Sequence, residues 1–358
     1  MPSIVAGHVL DSNRRPVGKV RISLKGKSVA ESGKDGFFSV VLAKAESRVA
    51  LTFTAEGHVS NTRVYDHRAG HGNVVVLWPI AHRVKFDPSR DLDIEIGSSR
   101  IQVPAKALTG PSGEKLNDLA RLRFTWFDVT NPFQRAAAPG DFSGQLLDGS
   151  IRRLNSYGIF DFGLHDLKGR SLSLSRGASI DLSIAVPPRL ADQAPKQVGF
   201  FNFDALTGRW IQIGNFDFVP GTLTYNGSVT SFGGAHNLDD PQDTTCVTIQ
   251  VVRCWDSTPM PNMNVHAYGL QYDSFGTTDS NGFTCLLVQR NASFLVEASG
   301  YYGGPYSYYG TPNPPTYTAP DFSSGASDCG NPVMCPFLGT VQVDLIVGTG
   351  ILSSSHAT

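Results

Sequence analysis

The hydrophobic residues of this chain almost never recur at the three-to-four-residue spacing that gives a helix one apolar face. They come in short runs rich in Val, Ile, Phe and Thr, at residues 20–24, 37–42, 49–54 and 74–77 among others, separated by clusters such as Lys34-Asp35-Gly36. Runs bounded in this way by Gly, Pro, Asn and Asp read as strands joined by tight turns. The best helical stretch, residues 116–122, is too short to organise a core. With 37 glycines and 22 prolines to make turns, the expected fold class is all-β, built as tandem β-sandwich modules.

A chain of 358 residues exceeds the usual domain of about 100–150 residues, and an internal repeat suggests how it divides. Near the start, Pro16 is followed by Val20, then by Ser32-Gly33-Lys34-Asp35-Gly36-Phe37 and Thr54-Ala55-Glu56-Gly57-His58. Near the end, Pro261 is followed by Val265, then by Thr278-Asp279-Ser280-Asn281-Gly282-Phe283 and Glu297-Ala298-Ser299-Gly300-Tyr301. Proline to turn glycine takes 20 residues in one copy and 21 in the other. The shared pattern is a meander in which Asp-Gly or Asn-Gly supplies a positive-φ turn before a buried strand. Two copies of one module therefore flank a different, larger β-rich domain, with expected boundaries 1–83, 84–240 and 241–358. Neither join, at residues 79–88 or 237–243, is a Gly/Ser run, so the middle domain is expected to pack firmly on its neighbours in an elongated rigid body.

Gly7-His8-Val9, Asp35-Gly36-Phe37 and Ala55-Glu56-Gly57-His58, with their later counterparts, resemble the carboxypeptidase regulatory-like module, a transthyretin-like seven-stranded sandwich. His58 stands where that module usually has Tyr or Phe. Between the copies come Ile101-Gln102-Val103-Pro104, then Leu122-Arg123-Phe124-Thr125-Trp126-Phe127, then Tyr157-Gly158-Ile159-Phe160, Thr207-Gly208-Arg209-Trp210 and His236-Asn237-Leu238-Asp239-Asp240-Pro241. That order is similar to a region of cartilage intermediate layer protein and related bacterial surface proteins, in which a β domain precedes a cysteine-bearing regulatory-like module. It is more distantly similar to the β domain shared by ankyrins and netrin receptors. The resemblance implies an extracellular, structural, non-enzymatic protein. The module's name refers to a domain that accompanies a peptidase and implies no peptidase here.

Thirty basic residues against 31 acidic ones leave no electrostatic reason to expect nucleic acid or an anionic membrane as partner. No apolar run approaches the roughly 18 residues of a spanning helix, and the first ten residues lack the basic flank and apolar stretch of a signal peptide. The expected location is still extracellular or cell-surface, with a signal trimmed or not needed.

Catalytic signatures are missing. There is no Gly-x-Ser-x-Gly elbow, no His-Glu-x-x-His and no dinucleotide fingerprint after a strand. Gly26-Lys27-Ser28 has Arg21 where a phosphate loop needs glycine. No enzyme activity and no cofactor are expected. His67 and His71 have helix-face spacing but sit among glycines, as a surface loop would. Asp91, Asp93 and Glu95 alternate along a strand and share a face, an arrangement open to a hard cation but expected to be solvated. Asp279-Ser280-Asn281-Gly282 resembles the opening of a calcium loop, but its repeat partner identifies it as a turn. Asn226-Gly227-Ser228 and Asn291-Ala292-Ser293 are glycosylation sequons in a secreted eukaryotic chain.

All five cysteines, Cys246, Cys254, Cys285, Cys329 and Cys335, fall in the last third, which points to local cross-linking in an oxidising compartment. The favoured pairings are Cys246 with Cys329 or Cys335, and Cys254 with Cys285. The same module holds six of the 11 tyrosines, Tyr301, Tyr302, Tyr306, Tyr308, Tyr309 and Tyr317, among glycines and prolines. That composition reads as a long loop. Its amphipathic rings suit protein contacts or stacking on sugars, or they fold back over their own sandwich. The leading expectation is a structural or assembly component that self-associates or binds another surface protein. A carbohydrate-binding adhesion module and an unrecognised enzyme are the alternatives.

Overall fold

The computed structural model describes residues 3–42, 48–65, 73–116, 118–301, 307–310, 316–318 and 337–347. It is nearly all strand, with three large hydrophobic cores and a small cluster of Cys246 and Leu287 among the described residues. In the N-terminal sandwich, Ser3–Leu10 runs antiparallel to Phe37–Leu42 and parallel to Asn73–Val76. The facing sheet has the order Lys27–Glu31, Arg21–Leu24, Val49–Thr54, Asn61–Tyr65. Along Phe37–Leu42, exposed and buried residues alternate strictly. One row of side chains, Phe38, Val40 and Leu42, thus reaches the core beside Val5, Ile22 and Phe53.

The C-terminal sandwich repeats this connectivity. Thr244–Arg253 is antiparallel to Phe283–Gln289 and parallel to Phe337–Val347, while Asn264–Tyr268 lies between Asp273–Thr277 and Ser293–Tyr301. One difference is that Ser307–Gly310 pairs with both Ser293–Tyr301 and Phe337–Val347, joining the two sheets along one side.

The two copies also share a hydrogen-bonded node. Ser32 Oγ donates to the Val17 carbonyl (2.9 Å) and accepts from the Val20 amide (3.0 Å). Thr278 Oγ1 donates to the Met260 carbonyl (2.6 Å) and accepts from the Met263 amide (2.9 Å). Gly36 and Gly282 both have φ of 76° and offer their carbonyls to Val9 and Val251. A side chain on Gly282 would meet the Val251 carbonyl at 2.5 Å, and one on Gly36 the Val9 carbonyl at 2.6 Å. The equivalent of Pro16 is therefore Pro259, not Pro261, since Pro16 bridges Leu10 as Pro259 bridges Val252. Two neighbouring prolines, 259 and 261, made the offset by two residues easy to miss.

The main sheet of the middle module has 11 strands and runs from His82–Phe86 through Ala120–Phe127, Ile151–Asp166 and Ala235–Gln242 to Ser99–Val103 and Leu92–Ile96 at the far edge; Leu108–Thr109 and Ser173–Leu174 form a small separate ladder. It curls on itself, so that Phe124 and Phe160 from one half share a core with Ile101 and Leu182 from the other. Trp126 Nε1 donates to the Ala185 carbonyl across the fold at 3.2 Å. The helix-prone residues 120–122 lie in a strand. The one α-helix among the described residues is Pro132–Arg135, where Asn131 Oδ1 caps the amides of Phe133 (3.0 Å) and Gln134 (3.3 Å) and Pro132 fills the first turn.

Cys246 is bonded to Cys285, with Cα atoms 6.5 Å apart, and neither cysteine has its expected partner. Cys246 lies on the strand next to Cys285, two residues along from Thr248, which is Cys285's direct register partner. Cys254 follows the end of that strand at Arg253, beyond the last pair Gln250–Phe283. Cys329 and Cys335 lie outside the described residues. Non-reducing peptide mapping is expected to recover Cys246 joined to Cys285; a peptide joining Cys254 to Cys285 would contradict the register.

Candidate functional site

The tyrosine segment is partly strand, not one long loop. Tyr301 ends the strand Ser293–Tyr301, and Tyr308 and Tyr309 lie in Ser307–Gly310, which is hydrogen-bonded on both sides. Backbone ladders hold such a strand whatever its glycine content. Tyr317 lies in Thr316–Thr318 and packs on the C-terminal core, its ring stacked on Phe294 at 6.0 Å. Burial pushes its hydroxyl pKa up. Tyr302 and Tyr306, like His67 and His71, lie outside the described residues.

The capped helix places Arg135 where the middle module meets the C-terminal one. Its side chain is fully buried. All five of its N–H groups find acceptors: Nε reaches Asp273 Oδ2 at 2.6 Å, and Nη1 reaches the carbonyls of Val129 and Leu270, each at 2.6 Å. Nη2 reaches the Gly269 carbonyl at 2.9 Å and Asp273 Oδ1 at 3.5 Å. Burial alone would raise the Asp273 pKa, but Arg135 and His266 outweigh it and hold the carboxyl well below the usual range. His266 Nε2 meets Asp273 Oδ1 at 2.5 Å, and its ring stacks on Phe275 at 4.4 Å. The Arg63 guanidinium of the N-terminal sandwich lies 4.9 Å from the centre of that same Phe275 ring. The two end sandwiches therefore touch, and the three modules gather about one junction instead of lining up as the expected elongated body.

A second cluster ties the middle module to the N-terminal one. Arg48 grips Asp141 with both ends of its fork (2.8 and 3.0 Å) and also donates to the Gly208 carbonyl at 2.8 Å. Burial opposes ionisation of Asp141, yet Arg48 and Arg153 hold its pKa well below the usual range. The Gly140 amide donates to the Thr62 carbonyl at 2.7 Å, and Asn61 Nδ2 to the Ala136 carbonyl at 3.1 Å. Gly208 has φ of 69°, and a side chain there would meet Val64 at 2.6 Å, so the hairpin at its tip can approach the N-terminal sandwich only as glycine. Sequence reading missed Arg48, Arg135, Asp141 and Asp273, because partners 93 and 138 residues apart leave no local pattern.

Asp91, Asp93 and Asp279 have protein partners. Asp93 is held by the Arg100 fork and by Gln102 Nε2 (3.1 Å), and Asp91 Oδ1 accepts from the Ala105 amide at 2.7 Å. Asp279 Oδ1 accepts from the amides of Asn281 and Phe283, each at 2.9 Å, which makes an Asx turn. Among the described residues, no group of three His, Cys, Asp or Glu side chains is placed to hold a metal ion. His266 and Asp273 have the spacing of a catalytic dyad, but Asp273 is committed to Arg135, and the rings of Tyr268 and Phe275 flank the imidazole.

No family model matches the chain, and no curated protein matches it. Among solved structures it is similar to the Bacillus anthracis TIE protein, at 10% identity and a TM-score of 0.19, covering 96% of this chain and 50% of that one. The chain thus spans about half the length of that relative. BcpA, the major pilin subunit of Bacillus cereus, gives 8% identity and a TM-score of 0.19 over 96% and 99% of the two chains. The major pilin SpaD from Corynebacterium diphtheriae gives 10% and 0.18 over 96% and 98%.

Proposed function

We propose that the chain is a non-catalytic structural or assembly component of an extracellular surface, fibre or particle. The observation that carries this is the junction: a buried arginine with every donor satisfied, linked through Asp273, His266 and Phe275 to Arg63, joins the three modules. Fixed geometry between modules is what a building block needs and what a hinged enzyme lacks. The proposed modules are 1–83, 84–240 and 241–358. The first join falls within the strand His82–Phe86 and the second within Ala235–Gln242, both part of the central sheet. The shared strand connectivity of the two ends supports reading them as carboxypeptidase regulatory-like, transthyretin-like modules. The motif order of the middle supports its likeness to cartilage intermediate layer protein.

The contact surface in this reading is the tyrosine segment, Tyr301 to Tyr317, and the partner is a second copy or another surface protein. Replacing Tyr306, Tyr308 and Tyr309 with Ala removes rings while leaving the backbone ladders of Ser307–Gly310 in place. Sedimentation velocity over a concentration series is expected to show the parent associating and the triple variant weakened about thirtyfold, the effect of losing roughly 2 kcal/mol of interface anchor. Melting should change little. A parent that stays monomeric at every concentration contradicts self-assembly, and a variant that melts far earlier yet still associates makes the segment a packing element.

A further inference from the structure

Beside the join of the N-terminal and central modules opens a cleft of about 650 Å³, whose lining includes Arg83, Lys85, Arg121, Arg123 and a single carboxylate, Glu56. In the ladder between His82–Phe86 and Ala120–Phe127, Arg83 stands directly opposite Arg123 and Lys85 directly opposite Arg121. Residues two apart on a strand share a face, so all four cations project from the same side of the sheet. Like charges placed opposite each other destabilise a strand pair. Two such pairs in succession are a cost that the fold does not require.

The surroundings offset that charge only in part. Among the described residues, none of the four forms an ion pair with a carboxylate. The Arg83 guanidinium reaches only the Gly57 carbonyl, at 3.4 Å. Arg123 is directed at the His165 ring on the next strand, and burial together with Arg123 pushes that imidazole down to about 4, so it brings no charge at neutral pH. Asp161, on the same strand as His165, is pushed up to about 6 by burial, with Arg123 acting in the opposite sense; it is therefore largely ionised at neutral pH and offsets part of the Arg123 charge, leaving Arg83, Lys85 and Arg121 in excess.

We propose that this cleft is a binding site for a compact polyvalent oxyanion, carrying phosphate or sulfate groups, that lies across the two cross-strand cation pairs. The guanidiniums of Arg83 and Arg121 offer paired N–H donors that match oxyanion geometry, while Arg123, turned to His165 through Nε and Nη2, and Lys85 add charge. The low-dielectric walls of a cleft strengthen that field at its floor. The site is independent of the assembly reading and works equally in a monomer.

Calorimetric titration of the full chain at low ionic strength tests it, with inorganic tripolyphosphate in one arm and sucrose octasulfate in the other. At least one of the two is expected to bind with micromolar affinity that falls as salt is added. Arg83→Gln with Lys85→Gln, both exposed positions, should weaken that binding at least about tenfold. Without ligand, the double variant should melt no lower than the parent, because repulsion is relieved. Binding in the first arm alone assigns the site to phosphate, in the second alone to sulfate. No binding in either arm, or equal binding by parent and double variant, overturns the proposal.

Discussion

Arg135→Met is expected to lower the free energy of the first unfolding transition by about 3–5 kcal/mol, the range for removing one partner of a buried ion pair. The cost does not come chiefly from a lost attraction. It comes from what the guanidinium leaves behind: a carboxylate only 1% exposed and the carbonyls of Val129, Gly269 and Leu270, all facing a thioether that donates nothing. Arg135→Lys should rescue little, because an ammonium has three donors on one point and cannot span acceptors arranged around a planar fork. Adding Asp273→Asn to the Met variant should recover part of that loss, since it keeps an acceptor and removes the stranded charge. In urea, the Met variant is expected to separate its modules before they unfold, with hydrogen exchange accelerated first at Gly269–Asp273. A Met variant within about 1 kcal/mol of the parent, or exchange unchanged at that loop, would show that the modules are held together by other contacts.

The parts of this architecture visible in the sequence were those with short-range causes. Alternation along residues 37–42, the Asp-Gly turn at 35–36 and its Asn-Gly partner at 281–282 are written in adjacent residues, and the repeat they mark folds with the same hydrogen bonds in both copies. The parts that escaped depend on chain pairing. Cys285 bonds whichever cysteine the ladder sets beside it, and that register was hidden until Thr244–Arg253 paired with Phe283–Gln289. The tyrosine segment was misjudged because glycine and proline content speaks of local preference, whereas Ser307–Gly310 is held by neighbours on both sides. The basic cleft was half legible. Arg83-x-Lys85 and Arg121-x-Arg123 each announce two cations on one strand face, but a net charge of -1 averages such concentrations away, and nothing local says that the two strands are partners.

A pH series should expose a pair of buried groups in the strand Ala235–Gln242 that pull in opposite directions. His236 is fully buried between Phe160 and Phe200, with ring centroids 5.4 and 5.3 Å away, and among the described residues neither ring nitrogen has a hydrogen-bond partner. Burial pushes it down to about 3, against about 6.5 in an unfolded chain. The unfolded state thus takes up a proton that the folded state refuses, and stability falls as pH drops from about 6.5 towards 3. At pH 4 the loss amounts to about 3 kcal/mol relative to neutral pH. Asp239, also fully buried, has the reverse sign. Burial raises its pKa well above the ordinary carboxylate value, against a smaller opposing pull from the Ser156 hydroxyl and with the Asp240 charge adding to the rise. Its contribution is intact below about 4 and is lost as pH rises towards the folded-state value. His236→Phe, which keeps the aromatic packing and removes the titration, is therefore expected to gain about 3 kcal/mol more over the parent at pH 4 than at pH 8. Asp239→Asn should gain at pH 8 and lose that advantage by pH 4. Urea midpoints for the two variants and the parent across this range decide the matter: differences that do not change with pH would mean that neither group is buried in the state the structure gives it.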